Sequence, residues 1–218
     1  MNVASLCPTS LQVALKAVLA LVLLAGAGLS QDLRARLKAA AAAASEVELQ
    51  KVETAAPRSE EAALAKLMRG YLRLQAKDYS GALQMLDETT IMHQTKLGDY
   101  ALYYRAQALQ GANRIEDAEQ AYVRVASTYP TSNLARTAVL QAAGSAMGRG
   151  AFQSVVNYVE KHAAANDGTA LKLKADALEK MGKLEEAATT WRRLYFEAPQ
   201  APEASDVANK LTALGAAP

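Results

Sequence analysis

The chain has 218 residues, an apolar fraction of 51% and a formal net charge of +2. That length and composition allow one or two domains with a real core and exclude an intrinsically disordered chain. Lys and Arg are interspersed with Asp and Glu instead of forming a stripe, so the electrostatic footprint of a nucleic-acid binder is missing and nucleic acid is excluded as a partner.

In chain order, the first element is a leader. Lys16 precedes the apolar run Ala17 to Gly28, which is followed by small residues before Gln31-Asp32-Leu33-Arg34. Such a run has signal-peptide length, because a transmembrane helix needs about 20 apolar residues. Ala25-Gly26-Ala27 fits the small-x-small cleavage rule and Gly28-Leu29-Ser30 is a second candidate, which places a signal peptide over 1–30 with cleavage near 27–30. An uncleaved anchor is the alternative, since the basic region is a single lysine plus the amino terminus. The only cysteine, Cys7, lies before the apolar run and leaves with the leader, so lipidation, a disulfide framework and a Cys-based metal site are not expected. Export to the periplasm follows, with no stable membrane span after signal removal.

Residues 31–58 read as an alanine-rich helical spacer. Leu33 to Lys38 and the run Ala39 to Ala44 favour helix but offer little apolar bulk to bury. Pro57 and Arg58-Ser59-Glu60-Glu61 then signal a helix start, with Ser59 as cap and acids at the positive end of the helix dipole.

From there to residue 218 the chain repeats. Ala76-Lys77-Asp78-Tyr79, Asn113-Arg114-Ile115, Arg149-Gly150-Ala151-Phe152 and Gly182-Lys183-Leu184 each read as a turn and the start of a second helix. The apolar anchors Tyr79, Ile115, Phe152 and Leu184 are 36, 37 and 32 residues apart. Those steps bracket the 34-residue period of tetratricopeptide-type repeats. Pro130 and Pro199 each stop a helix fifteen residues after Ile115 and Leu184. Alanine is abundant and β-branched residues rarely cluster, so the expected fold is all-α, a tetratricopeptide-like right-handed solenoid of antiparallel helix pairs. The expected pairs are Leu64 to Leu74 with Ala82 to Leu86, Tyr100 to Leu109 with Glu116 to Tyr129, Leu134 to Met147 with Phe152 to His162, and Leu171 to Met181 with Glu185 to Phe196. Thr169 is placed as the cap of the fourth pair, and Ala204 to Leu214 as a closing helix.

Chemistry is scarce. His93 and His162 are the only histidines, and neither has a ligand partner at a helical metal spacing, so a surface or inter-repeat structural role is expected and no metal. Glu60-Glu61 and Glu185-Glu186 are adjacent, point about 100° apart on a helix and cannot converge as an acid/base couple. They read as solvated helix starts. No phosphate-binding glycine loop, nucleophile elbow or Cys-His pair is present, so neither a catalytic residue nor a cofactor is expected. Tyr104 and Trp191 read as core bulk. The candidate binding residues are Tyr100, Tyr103, Arg105 and Arg136, because aromatic and arginine side chains are favoured in binding hot spots and aromatic faces can stack on sugar rings.

Two segments carry a resemblance. Leu97 to Leu109, followed by the repeat ending Tyr129-Pro130-Thr131-Ser132-Asn133-Leu134-Ala135, resembles the N-terminal superhelical domain of soluble lytic murein transglycosylases. Trp191-Arg192-Arg193-Leu194-Tyr195-Phe196-Glu197-Ala198-Pro199, with Pro202-Glu203-Ala204 behind it, is similar to the same family. The likeness spans about Leu64 to Leu214. Enzymes of that family keep their catalytic Glu in a separate C-terminal lysozyme-like domain, usually announced by a Glu-Ser pair and a Gly-Leu-Met-Gln block. No such block occurs up to Pro218, so no catalytic residue is carried over. The resemblance implies an exported non-catalytic scaffold of the cell envelope that binds a protein partner or a peptidoglycan strand. The alternative is the N-terminal portion of a lytic transglycosylase whose catalytic domain is absent from this chain.

Overall fold

The computed structural model describes residues 31–216; the expected leader lies outside the described residues. Among the described residues there are twelve α-helices, one 3-10 helix and no strand. The helices are α1 (Gln31–Ala42), α2 (Glu46–Ala55), α3 (Glu60–Gln75), α4 (Tyr79–Met85), α5 (Glu88–Gln94), α6 (Gly98–Gly111) and α7 (Ile115–Thr128). After them come α8 (Ala135–Gly148), α9 (Phe152–His162), α10 (Gly168–Lys180), α11 (Leu184–Glu197), a 3-10 helix (Pro202–Asp206) and α12 (Val207–Ala213). The chain is all-α.

One backbone event recurs along it. Ala44, Lys77, Asn113, Gly150, Gly182 and Gly215 adopt left-handed φ values of 48° to 79°, at intervals of 33, 36, 37, 32 and 33 residues by their numbers. At each, the next N–H donates to the carbonyl five residues back: Ser45 to Ala40, Asp78 to Arg73, Arg114 to Leu109, Ala151 to Ala146, Lys183 to Leu178 and Ala216 to Leu211, all at 2.8 to 3.0 Å. This left-handed closure satisfies carbonyls that a helix end would otherwise leave without partners. Five of these turns join a first helix to a second: α1 to α2, α3 to α4, α6 to α7, α8 to α9 and α10 to α11.

Residues 31–58, expected as a spacer with little to pack, instead bury Leu33, Leu37, Leu49 and Val52 in the same apolar cluster as Leu64, Leu67 and Tyr71. Their few large side chains fall on one face, and alanines Ala40 and Ala41 fill the rest. The second unit also departs from the reading. Its second helix is broken at Leu86, and Asp87 caps a separate α5 by accepting from the Thr89 N–H at 3.2 Å.

Capping explains most starts. Ser59 accepts from the Ala62 N–H at 3.1 Å, as expected. Asp167, not Thr169, caps α10, accepting from the Ala170 N–H at 3.2 Å; Thr169 stands inside the first turn and its hydroxyl donates to Glu203 instead. The closing segment is likewise shorter than expected, because Pro202 opens a 3-10 turn before α12 begins at Val207.

The substantial packing contacts join helices that are near neighbours in the chain. Trp191 and Tyr104 are 1% and 5% exposed, in the core as read. Each buries on the order of 150–250 Å² that alanines could not supply.

Candidate binding surface

Counting back from the left-handed residue gives equivalent positions on successive first helices. Six residues before it stand Tyr71, Gln107, Gly144 and Asp176; three before it stand Leu74, Gln110, Met147 and Glu179. These positions change along the chain, from side chains buried in the core on α3, through half-buried amides on α6, to a bare stretch on α8 and half-buried carboxylates on α10. Gly144 is exposed, and a Cβ built on it would have no neighbour within 4 Å. A cavity of about 420 Å³ lies between α3 and α6, lined by Gln75, Tyr79, Gln107 and Gln110 among others.

Of the four candidate residues, Tyr100 is half-buried, at the third residue of α6. Tyr103 is only 8% exposed. Its ring centroid lies 6.2 Å from that of Tyr104 and 5.5 Å from that of Tyr122, both edge-on, while Tyr104 also packs at 5.0 Å on Tyr71. Burial raises the phenol pKa of Tyr71, Tyr103, Tyr104 and Tyr122 above the ordinary value, so all stay neutral donors. Tyr103 thus belongs to an aromatic seam between α3, α6 and α7 and offers little of its ring to a ligand.

Both arginines are occupied. Arg105 Nη1 donates to the Leu83 carbonyl of the preceding unit at 3.1 Å. Arg136 is 63% exposed along its side chain, but its Nε and Nη2 donate to Asp167 at 2.6 and 2.9 Å in a bidentate pair. The Asp167 carboxylate holds the guanidinium pKa above its ordinary value. Because Asp167 caps α10, this pair ties the start of one first helix to the start of the next. Ser132 donates to Asp99 across 33 residues, and Thr169 to Glu203 across 34, so a polar row one repeat in step runs along that edge.

Sequence reasoning missed Gln107, Gln110, Gly144 and Asp176. The signal was present: each sits at a fixed offset before a turn that the repeat spacing had located.

His93 is exposed and His162 half-buried, where burial lowers its pKa. Among the described residues no group of three or more His, Cys, Asp or Glu could hold a metal ion. Glu185 and Glu186 are solvated as read, whereas Glu61 is 2% exposed, because Arg34 reaches it at 2.8 Å. No helix of the described residues is long and apolar enough to cross a membrane. No protein-family model matches the chain, and no curated protein matches it.

Proposed function

We propose that this is an exported, non-catalytic helical-repeat protein of the cell envelope that binds an extended partner on the face formed by its first helices. The observation that carries the reading is the six-fold recurrence of the left-handed turn at tetratricopeptide-like intervals. Repeats of that kind stack as antiparallel pairs in a right-handed solenoid and present successive first helices to one ligand. The leader-like run Ala17 to Gly28 supports export.

The ligand is a peptidoglycan strand or an envelope protein, as the resemblance to the superhelical domain of lytic transglycosylases implies. Tyr100 and the amide of Gln107 suit a glycan, since a half-exposed ring can stack on a sugar and an amide can donate to and accept from hydroxyls. Co-sedimentation with purified sacculi at low salt, beside capture from envelope extract, tests the reading. Binding to sacculi supports the glycan, specific capture of one envelope protein supports the protein ligand, and failure of both overturns the proposal.

A further inference from the structure

Counted from the left-handed turn, α9 is one helical turn shorter than its counterparts. Helices α7 and α11 end fifteen residues after that turn, at Thr128 and Glu197, whereas α9 ends twelve residues after it, at His162. The backbone becomes extended at Ala163, where ψ is 152°, and runs on through Ala164 and Ala165. At the twelfth position the unit before carries Val125 and the unit after carries Leu194, both 0% exposed. Here that position is His162, which is half-buried.

A cleft of about 210 Å³ lies at this shortened end, lined by Pro130, Arg136, Val139, Leu140, His162 and Ala164 among others. It is smaller than the roughly 300–1,000 Å³ of small-molecule pockets and larger than the ~150 Å³ of an apolar cavity that holds a benzene ring. Its size and its largely apolar wall suit one aromatic side chain. Arg136, 63% exposed along its side chain and still paired with Asp167, offers a cation for such a ring to lie against.

The chain carries such a ring one unit further on. The fourteenth residue after the turn is Ala164 in the unit of α9 and Phe196 in the unit of α11. Phe196 is 66% exposed, and Tyr195 braces it edge-on with ring centroids 5.1 Å apart. Arg193 donates to the Ala165 carbonyl at 3.0 Å, which sets the end of α11 beside the end of α9. A projecting ring and a cleft that fits a ring therefore stand at equivalent positions of successive units.

We propose that two copies of this chain associate through this edge, about a two-fold axis between the α9 and α11 units, with Phe196 of each copy seated in the cleft of the other. A two-fold interface must be self-complementary. A knob and a hole displaced by one unit meet that condition, because the rotation that brings one knob to the partner's hole brings the partner's knob to the first hole. Buried aromatic side chains are common anchors of interfaces. Two rings, each burying on the order of 150–250 Å², fall short of the roughly 1,200 Å² at which stable interfaces begin, so the dimer is weak and reversible. The inference stands whether or not the proposed ligand is correct.

Sedimentation equilibrium of the full chain in a Cys7→Ser background tests it. The unmodified edge should show a reversible monomer–dimer equilibrium as concentration rises to about 1 mM. Phe196→Ala and Ala164→Phe both change exposed positions, and at unchanged helical content each should weaken the dimer at least tenfold. A mixture of the two should regain part of the association, because the ring of one meets the open cleft of the other. A monomer throughout, or a dimer indifferent to both changes, would overturn the proposal. Under mild oxidation, Phe196→Cys and Ala164→Cys copies should cross-link with each other in preference to themselves; self-linked pairs alone contradict the pairing. If the protein stays monomeric while N-acetylphenylalanine amide shifts the amide resonances of Val139 and Ala163, the cleft takes an aromatic side chain of a different partner and the second copy is ruled out.

Discussion

Trp191 donates its indole N–H to Glu179 at 2.7 Å, across the same 12 residues that separate Tyr122 from its acceptor Gln110 at 3.0 Å. Each bond ties the large aromatic of a second helix to the last turn of its own first helix, two units apart in the array. Trp191 also lies beneath Lys210, whose ammonium is 5.4 Å from the ring. Trp191→Phe keeps most of the volume and loses the donor, so stability should fall by about 1–3 kcal/mol; Trp191→Ala should cost about 3–5 kcal/mol. Urea denaturation followed by circular dichroism reads both.

The recurring turn makes a prediction of opposite signs. Ala44 and Lys77 hold left-handed φ values that penalise a Cβ, whereas Gly150 and Gly182 do not carry one. Ala44→Gly and Lys77→Gly should each stabilise the protein by about 1 kcal/mol, and Gly150→Ala and Gly182→Ala should each destabilise it by a similar amount. Asn113→Gly should fall between, because Asn tolerates this region. Denaturation midpoints at constant slope measure the series.

Gly111 is needed for space, not for conformation. A Cβ there would stand 2.2 Å from Tyr79 Cε1, the ring that anchors the preceding unit. Gly111→Ala should cost about 1–3 kcal/mol by overpacking. Combined with Tyr79→Leu, it should cost less than the two single changes added, and a double-mutant cycle gives that coupling.

Acid should weaken the fold in two windows. Burial, with the Lys161 charge, depresses the His162 pKa, so its contribution is complete above the ordinary value of 6.5 and is lost as pH falls through the folded value below it. The Arg73 hydrogen bond lowers the pKa of Glu46 from 4.5, and the Thr90 hydroxyl lowers that of Asp87 from 3.8. Stability held by these carboxylates is present above those values and lost below them. Glu46→Gln should flatten the lower limb and His162→Gln the upper one, in melting temperatures followed from pH 7 to pH 3.

Much of this was legible in the sequence. Tyr79, Ile115, Phe152 and Leu184 each follow a left-handed residue by two positions, so the apolar anchors located four turns. The turn at Ala44 carries no such signal, because Glu46 stands where the anchor would be and alanine stands where Gly or Asn signals a helix end. The binding face was less legible. An arginine destined for solvent and one bound to a carboxylate a full repeat away look alike in one dimension, as Arg136 and Asp167 demonstrate. Tyr103 likewise reads as a surface aromatic until Tyr122 is seen to cover it.

Gly144 offers the most direct test of the proposed binding face. It stands in mid-helix with open space before it, so Gly144→Arg adds bulk to that face and should stabilise the helix by about 0.5–1 kcal/mol. Capture of sacculi or of the envelope partner by this variant is to be compared with wild type and with Ser127→Arg, an exposed change on α7. Loss of binding by Gly144→Arg alone, with stability kept or raised, is the predicted result. Undiminished binding by Gly144→Arg would contradict a ligand on the first-helix face.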